Sequence, residues 1–367
     1  MDLVTPSETT SSGGSVLGTL GLVAIAIVVL SGVDTFLART ERQENRAEAN
    51  RLAAAGRALI DKGTPADAVA QFKGAIAIER ENRAYWLELG QAQLDAGELT
   101  DAETSLTELL RRDSTAGAAN LALARVLIKE GRITDAVSAY HSAVYGHWDK
   151  DAEANRLAVR FELVNVLAQQ GSKEELLAEL LPLLDMSPDD LSVRKRMGHL
   201  FLVAASPVRA GEIFRDILKQ HPQDADAYAG LGESEFARGN YQTARADFRV
   251  ASNLRPEDEG IRGRLELCSA VLALDPMQRG LGPQERYQRS FRMLELVTGA
   301  IGRCGGVVPD DAQKAMKARV GAAHMSDATE TNLSMAEDLW KVRQKDCSQT
   351  PDEEDEPLRL VLAKIAQ

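Results

Sequence analysis

The chain is predicted to be all-α: an apolar N-terminal span, then a run of stacked helix pairs, then a helical cap. Three observations predict it. Residues 16–33 carry no charged side chain. From residue 49 to residue 256, small and large apolar side chains recur with a 34-residue period. Aromatics are only 5% of the composition while Ala and Leu abound, which suits closely packed helices.

The first 15 residues form a polar tail holding Asp2 and Glu8 but no Lys or Arg. The apolar stretch 16–33 covers about 27 Å at 1.5 Å per residue, and residues 35–38 extend it into the far interface. Residues 16–38 are therefore expected to be a transmembrane helix. A cleaved signal peptide is the competing reading, but it calls for a basic leading segment and a shorter apolar core. A linker is expected over 39–48. It holds Arg39, Arg42 and Arg46, and by the positive-inside rule these place the following domain in the cytoplasm.

Six copies of the period follow over 49–256. The copy starting at Ala225 has Tyr228, Leu231, Gly232, Gly239, Ala244, Phe248, Ala251 and Pro256. The copy at Arg83 has Trp86, Leu89, Gly90, Gly97, Ala102, Leu106 and Leu109. Those at Ala49 and Gly117 keep Gly56, Gly63, Ala68 and Phe72, and Ala124, Gly131, Ala136 and Tyr140. Two looser copies start at Leu157 and Leu191, the last with Ala205 at the turn position. A six-residue insertion, 146–151, separates the third copy from the fourth. This pattern resembles the tetratricopeptide repeat, W-x2-LG-x2-Y…G…A-x3-F…A…P.

The resemblance implies two antiparallel helices per repeat, stacked into a right-handed α-solenoid. Small residues at the eighth and twentieth positions let the paired axes approach. The turn glycine permits a left-handed cap, and the closing proline ends the second helix. After the repeats, 257–350 is read as a helical cap subdomain, with helices at 259–274, 283–304, 309–323 and 330–347. An acidic linker and short terminal helix make up 351–367.

In tetratricopeptide-type proteins the first helix of each repeat lines a concave groove. Carried over by register, the ninth positions are Arg57, Gln91, Arg125, Asn165, His199 and Glu233, all polar. The fifth positions include Ala53, Leu87, Leu121 and Phe161, and the twelfth include Ile60 and Leu94. This reads as a polar ladder between apolar rows, suited to an extended segment or an amphipathic helix. An ordinary mixture of packing and solvent-facing residues would look the same. Trp148, in the insertion, is either an exposed anchor for a partner or a side chain folded back over its neighbour.

Net charge is −12 with three cysteines, which argues against nucleic-acid binding and against a disulfide framework. Cys304 and Cys347 each end an expected helix, a placement that suits a bridge in an oxidising compartment, although two unrelated thiols fit equally. Together with the resemblance to anchored bacterial repeat proteins, that placement favours an extracytoplasmic (periplasmic) domain, against the charge rule. Asn332 opens a glycosylation tripeptide of a kind that also arises by chance. The sequence has no phosphate-binding loop, nucleophile elbow or metal-ligand spacing. The expectation is thus a non-enzymatic, cofactor-free scaffold for membrane-associated protein partners. The alternative is an accessory subunit of a bioenergetic or secretion complex in a membrane.

Overall fold

The computed structural model describes residues 13–186, 190–318, 320–321, 324–346 and 355–366, with the side chains of 13–28 and 346 outside that description. The described residues form helices and no strand. Two compact units divide the chain, residues 1–163 and 164–367.

In the first unit, α1 (Gly13–Asp61) pairs with α2 (Pro65–Ile78), α3 (Arg83–Ala96) with α4 (Leu99–Arg112), and α5 (Gly117–Lys129) with α6 (Ile133–Tyr145). α7 (Ala152–Gln170) crosses the boundary between the units. The second unit continues with α8 (Lys173–Met186), the pair α9 (Leu191–Val203) and α10 (Pro207–Gln220), and the pair α11 (Ala225–Ala237) and α12 (Tyr241–Leu254).

Each pair forms because its eighth position leaves room for a large side chain at the twenty-fourth. A Cβ on Gly90 would lie 2.6 Å from the side chain of Leu106, and one on Gly232 would lie 2.9 Å from the ring of Phe248. Gly56 stands in the same way over Phe72, and Gly198 over Phe214. Carbon contacts below about 3.5 Å are repulsive, so these faces admit hydrogen only. Ala124 stands at the eighth position and Tyr140 at the twenty-fourth of the third repeat, and both are buried. The twentieth positions Ala68, Ala102, Ala136, Ala210 and Ala244 are fully buried.

The turns obey the same register. Gly97 sits at φ 80°, and the amides of Gly97 and Glu98 donate to the carbonyls of Leu94 and Gln93, the paired bonds of a glycine-terminated helix. Ala205 takes up the same left-handed backbone at φ 52° without being glycine. Asp190, Asp224 and Asp258 cap the helices that follow them by accepting from Val193, Ala227 and Ile261 amides.

α13 (Glu259–Leu274) continues from the last repeat and packs on α12. It is followed by α14 (Pro283–Arg303), α15 (Asp310–Lys317), α16 (Met325–Asp346) and α17 (Glu356–Ile365). α16 starts at Met325, earlier than its apolar pattern predicts, and pairs extensively with α14. α17 returns to lie on α13, and Leu358, Val361 and Leu362 enter the core that Val271, Met293, Val297 and Trp340 also form.

Two expectations need revision. Residues 39–48 are no break: they lie inside α1, which runs unbroken into the first helix of the first repeat. The acidic stretch before α17 is not a wholly solvated linker, because Asp355 is 2% exposed and pairs with Arg303 and Arg343. Asn332 is 4% exposed and donates to Ser290 Oγ at 3.2 Å, so its tripeptide belongs to the α14–α16 core and is inaccessible to a glycan. Among the described residues no helix is long and apolar enough to cross a membrane. Most of the 16–38 span, namely the side chains of 16–28, lies outside the described residues.

Candidate functional site: the first-helix face of the repeats

The ninth-position residues all lie on the first helices, as the register requires, but most of them are occupied. Arg57 Nε pairs with Glu88 Oε1 at 2.8 Å, and Arg125 Nε donates to Glu162 Oε2 at 3.0 Å. In the second unit Arg196 Nη2 donates to Asn165 Oδ1 at 2.8 Å, and Arg264 Nε pairs with Glu233 Oε1 at 2.8 Å. Each partner stands at the sixth position of the next first helix. The separation is 31 residues for Arg57–Glu88 and Asn165–Arg196, and 37 for Arg125–Glu162, which spans the six-residue insertion. The polar ladder is therefore a set of rungs tying successive repeats. The signal was present in the sequence as complementary residue types 31 apart, with the charge sign reversed between Arg57–Glu88 and Glu233–Arg264.

Burial and these pairings set the electrostatics. Tyr140 donates to Glu162 Oε2 at 3.3 Å, and burial, with that carboxylate beside it, pushes its phenol up to about 12. Burial also raises the Glu233 carboxyl, opposed by the Arg264 guanidinium. His199 packs edge-on against Phe214, ring centroids 5.2 Å apart, and burial lowers its basicity.

Gln91 is exposed, on the rim of a cleft of about 370 Å³ that Arg57, Ile60, Phe72, Glu88 and Asp95 also line. Leu87, Leu121 and Phe161 are half-buried, and Leu87 and Leu121 sit at equivalent fifth positions of α3 and α5. Ala53 and Leu94, by contrast, are buried in the cores of their repeats and unavailable to a ligand. The apolar row of the groove is thus shorter than its register implies.

A second cleft, of about 470 Å³, opens between the start of α3, the start of α5 and the insertion, with Leu87, Leu109, Ala118 and Trp148 among its walls. Trp148 is folded back: its Nε1 donates to the Ala143 carbonyl at 2.9 Å, and a Cβ on Gly117 would lie 2.4 Å from that nitrogen. The insertion is fixed further by His147, whose amide donates to Thr115 and whose carbonyl accepts from Gly117. Trp148 is consequently a wall of the cleft and not a free anchor. Among the described residues no group of His, Cys, Asp or Glu is arranged to hold a metal ion. Cys268 is a free, buried thiol, and Cys304 is disulfide-bonded. Cys347 lies outside the described residues.

Helix pairs repeating every 34 residues, nested through an eighth-position small residue and stacked first helix on first helix, define a helical-repeat protein. The tetratricopeptide repeat family model matches residues 53–119, 89–154 and 196–259, so the chain carries tetratricopeptide repeats in both units. A stretch of 105 residues is 25% identical to DnaJ homolog subfamily C member 3 of Rattus norvegicus, and equally to that of Homo sapiens. The match takes in 29% of this chain and only 20% of those proteins. Among solved structures, YrrB, a TPR protein with an unusual peptide-binding site, is 18% identical with a TM-score of 0.44, covering 53% of this chain and 97% of its own. The C-terminal part of a TPR repeat-containing protein from Cytophaga hutchinsonii is 12% identical at the same TM-score, covering 83% and 98%.

Proposed function

We propose that this chain is a membrane-anchored scaffold that binds partner proteins through the first-helix face of its repeats. The observation that carries the reading is the cleft walled by Leu87 and Trp148 beside the exposed Gln91 rim: apolar lining next to polar groups is what an extended segment or amphipathic helix of a partner fits. Residues 16–38 serve as the anchor, supported by the uncharged run 16–33 and the exposed apolar side chains Val33, Phe36 and Leu37 that continue it. The repeats face an extracytoplasmic, oxidising space, supported by the disulfide-bonded state of Cys304. Cys268 is a free thiol, so Cys347 is the partner this reading assigns to Cys304. The scaffold acts without catalysis.

The exposed apolar face of α1 favours a second reading, in which that helix packs on other subunits and the chain is a fixed part of a larger membrane complex. Purification from membranes in mild detergent separates the two. Substoichiometric partners lost with Gln91→Arg, a change at an exposed position, support the scaffold. A stoichiometric assembly indifferent to Gln91→Arg supports the subunit. Recovery of the chain alone refutes both.

A further inference from the structure

The first helices α3 and α11 are 14 and 13 residues long and α7 is 19, whereas α1 runs for 49. Its last turns are the first helix of repeat one, with Ala49 and Ala53 fully buried against the repeat core. Upstream of Ala49 the same helix carries an exposed apolar face: Val29, Leu30, Val33, Phe36 and Leu37, all about half exposed or more, at the i, i+3, i+4 and i+7 spacing of one helix stripe. Between the two ends lie Arg39, Arg42 and Arg46. Braces keep the connecting turns helical. Arg46 pairs with Glu79 beyond the end of α2 at 3.2 Å, Asn50 accepts from Tyr85 Oη at 2.8 Å, and Arg51 clasps Glu48 one turn away. No glycine or proline interrupts residues 33–55.

Resting on the anchor reading above, we infer that α1 is a splint: one continuous helix that fixes the first repeats at a set height and rotational phase above a lipid bilayer. The bilayer is the occupant of the exposed stripe, because the apolar run continues N-terminally through 16–33 and Arg39 and Arg42 just beyond it complement the phosphates of lipid headgroups on either face. The twelve residues from Leu37 to Ala49 span about 18 Å at 1.5 Å per residue. A flexible tether would let the repeats sample every orientation, whereas the splint restricts partners to those whose docking segment stands about that far from the membrane surface. A one-residue insertion in the stalk turns the repeats through about 100° about the helix axis, while seven residues restore the phase to within about 20° and add about 10 Å of height.

The test uses the full chain in nanodiscs of phosphatidylcholine and phosphatidylglycerol, spin-labelled at Glu44→Cys and Ala58→Cys, both exposed positions. Buried Cys268, its thiol pushed up to about 11 by burial, resists labelling. Pulsed electron spin resonance is expected to give one narrow distance distribution near 21 Å, the length of fourteen helical residues. Inserting Gly-Ser-Gly-Ser after Glu44 is expected to broaden it severalfold. A distribution already broad in the uninserted chain, with the protein still floating with vesicles, overturns the splint alone. A chain that does not float with vesicles of that composition overturns the anchor reading, and the height assignment falls with it.

Discussion

Phe214 is wedged between two glycines, and its confinement can be tested quantitatively. A Cβ on Gly198 of α9 would lie 2.6 Å from Phe214 Cζ, and one on Gly230 of α11 only 2.3 Å from it. Ordinary carbon contacts start near 3.5 Å, so each methyl would overlap the ring by about 1 Å. The ring cannot swing aside, because Phe214 is 0% exposed and His199 lies against it. Relief must come from parting helices, the regime in which overpacking costs about 1–3 kcal/mol. Alanine returns roughly 0.5–1 kcal/mol of helix propensity over glycine, leaving Gly230→Ala destabilising by about 1–2 kcal/mol. Gly263 of α13 is the control: nothing lies within 4 Å of its Cβ position, so Gly263→Ala keeps the propensity gain and stabilises. Phe214→Leu leaves a small cavity of its own but removes the clash. Gly230→Ala in that background should therefore cost far less, a coupling of at least 1 kcal/mol. Hydrogen exchange of the α9–α11 segments measures the local opening free energy without requiring two-state unfolding of the whole chain. Equal exchange for Gly230→Ala and Gly263→Ala, or strict additivity with Phe214→Leu, would refute the close-approach account.

Four further outcomes follow from particular sites. Ala205→Gly should stabilise by up to about 1 kcal/mol, because a left-handed alanine costs roughly 1–2 kcal/mol and glycine's greater entropy returns part of that; thermal melting checks it. Asp247 has a buried Oδ2 without a partner, and burial plus nearby Glu235 push its carboxyl up to about 6. A folded pKa above the unfolded one of about 3.9 means the ionised form destabilises the fold. Its cost is absent below about pH 4, grows as pH rises through 6, and stays constant above. Asp247→Asn should thus raise the melting temperature at pH 7.5 and leave it unchanged at pH 3.5, the gain being about 1–2 kcal/mol after allowance for its partial exposure. Asp355→Asn should cost about 3 kcal/mol and expose α17 to proteases, since it withdraws a carboxylate from Arg303 and 5%-exposed Arg343. Glu88→Gln, whose partner Arg57 is half exposed, should cost under about 1 kcal/mol by the same melting assay.

The repeat fold was legible because its determinants are steric and local. Gly90 faces Leu106, and Gly97 caps α3, within a single 34-residue copy, so residue type and spacing suffice. What escaped were features set by distant chain segments. Asp355 reads as one more residue of an acidic tail until α17 folds back on α13 and brings Arg303 and Arg343 to it, while Lys364 reaches Asp275 from 89 residues away. Residues 39–48 read as a linker because charge and a lack of apolar periodicity mark loops, yet those same residues favour helix intrinsically. With folded helix on one side and Arg46 braced to Glu79, helix is the cheaper continuation.

The candidate site shows why register alone misleads about function. Choosing ninth positions because they face the groove selects residues for direction, and direction is shared by anything that must touch the neighbouring first helix. Arg57, Arg125, Asn165 and Glu233 point the right way and spend their polar groups on the next repeat. A partner competing for Arg125 would have to strip it from a bidentate carboxylate also bonded by Tyr140, leaving Glu162 uncompensated. Under the proposed function, recognition is therefore expected at the Gln91 rim and the Leu87–Trp148 cleft of the first unit. Arg125→Gln should accordingly loosen the contact between the third and fourth repeats, seen as faster exchange at the start of α7, before it alters partner affinity. Affinity lost at unchanged exchange would return Arg125 to the binding surface.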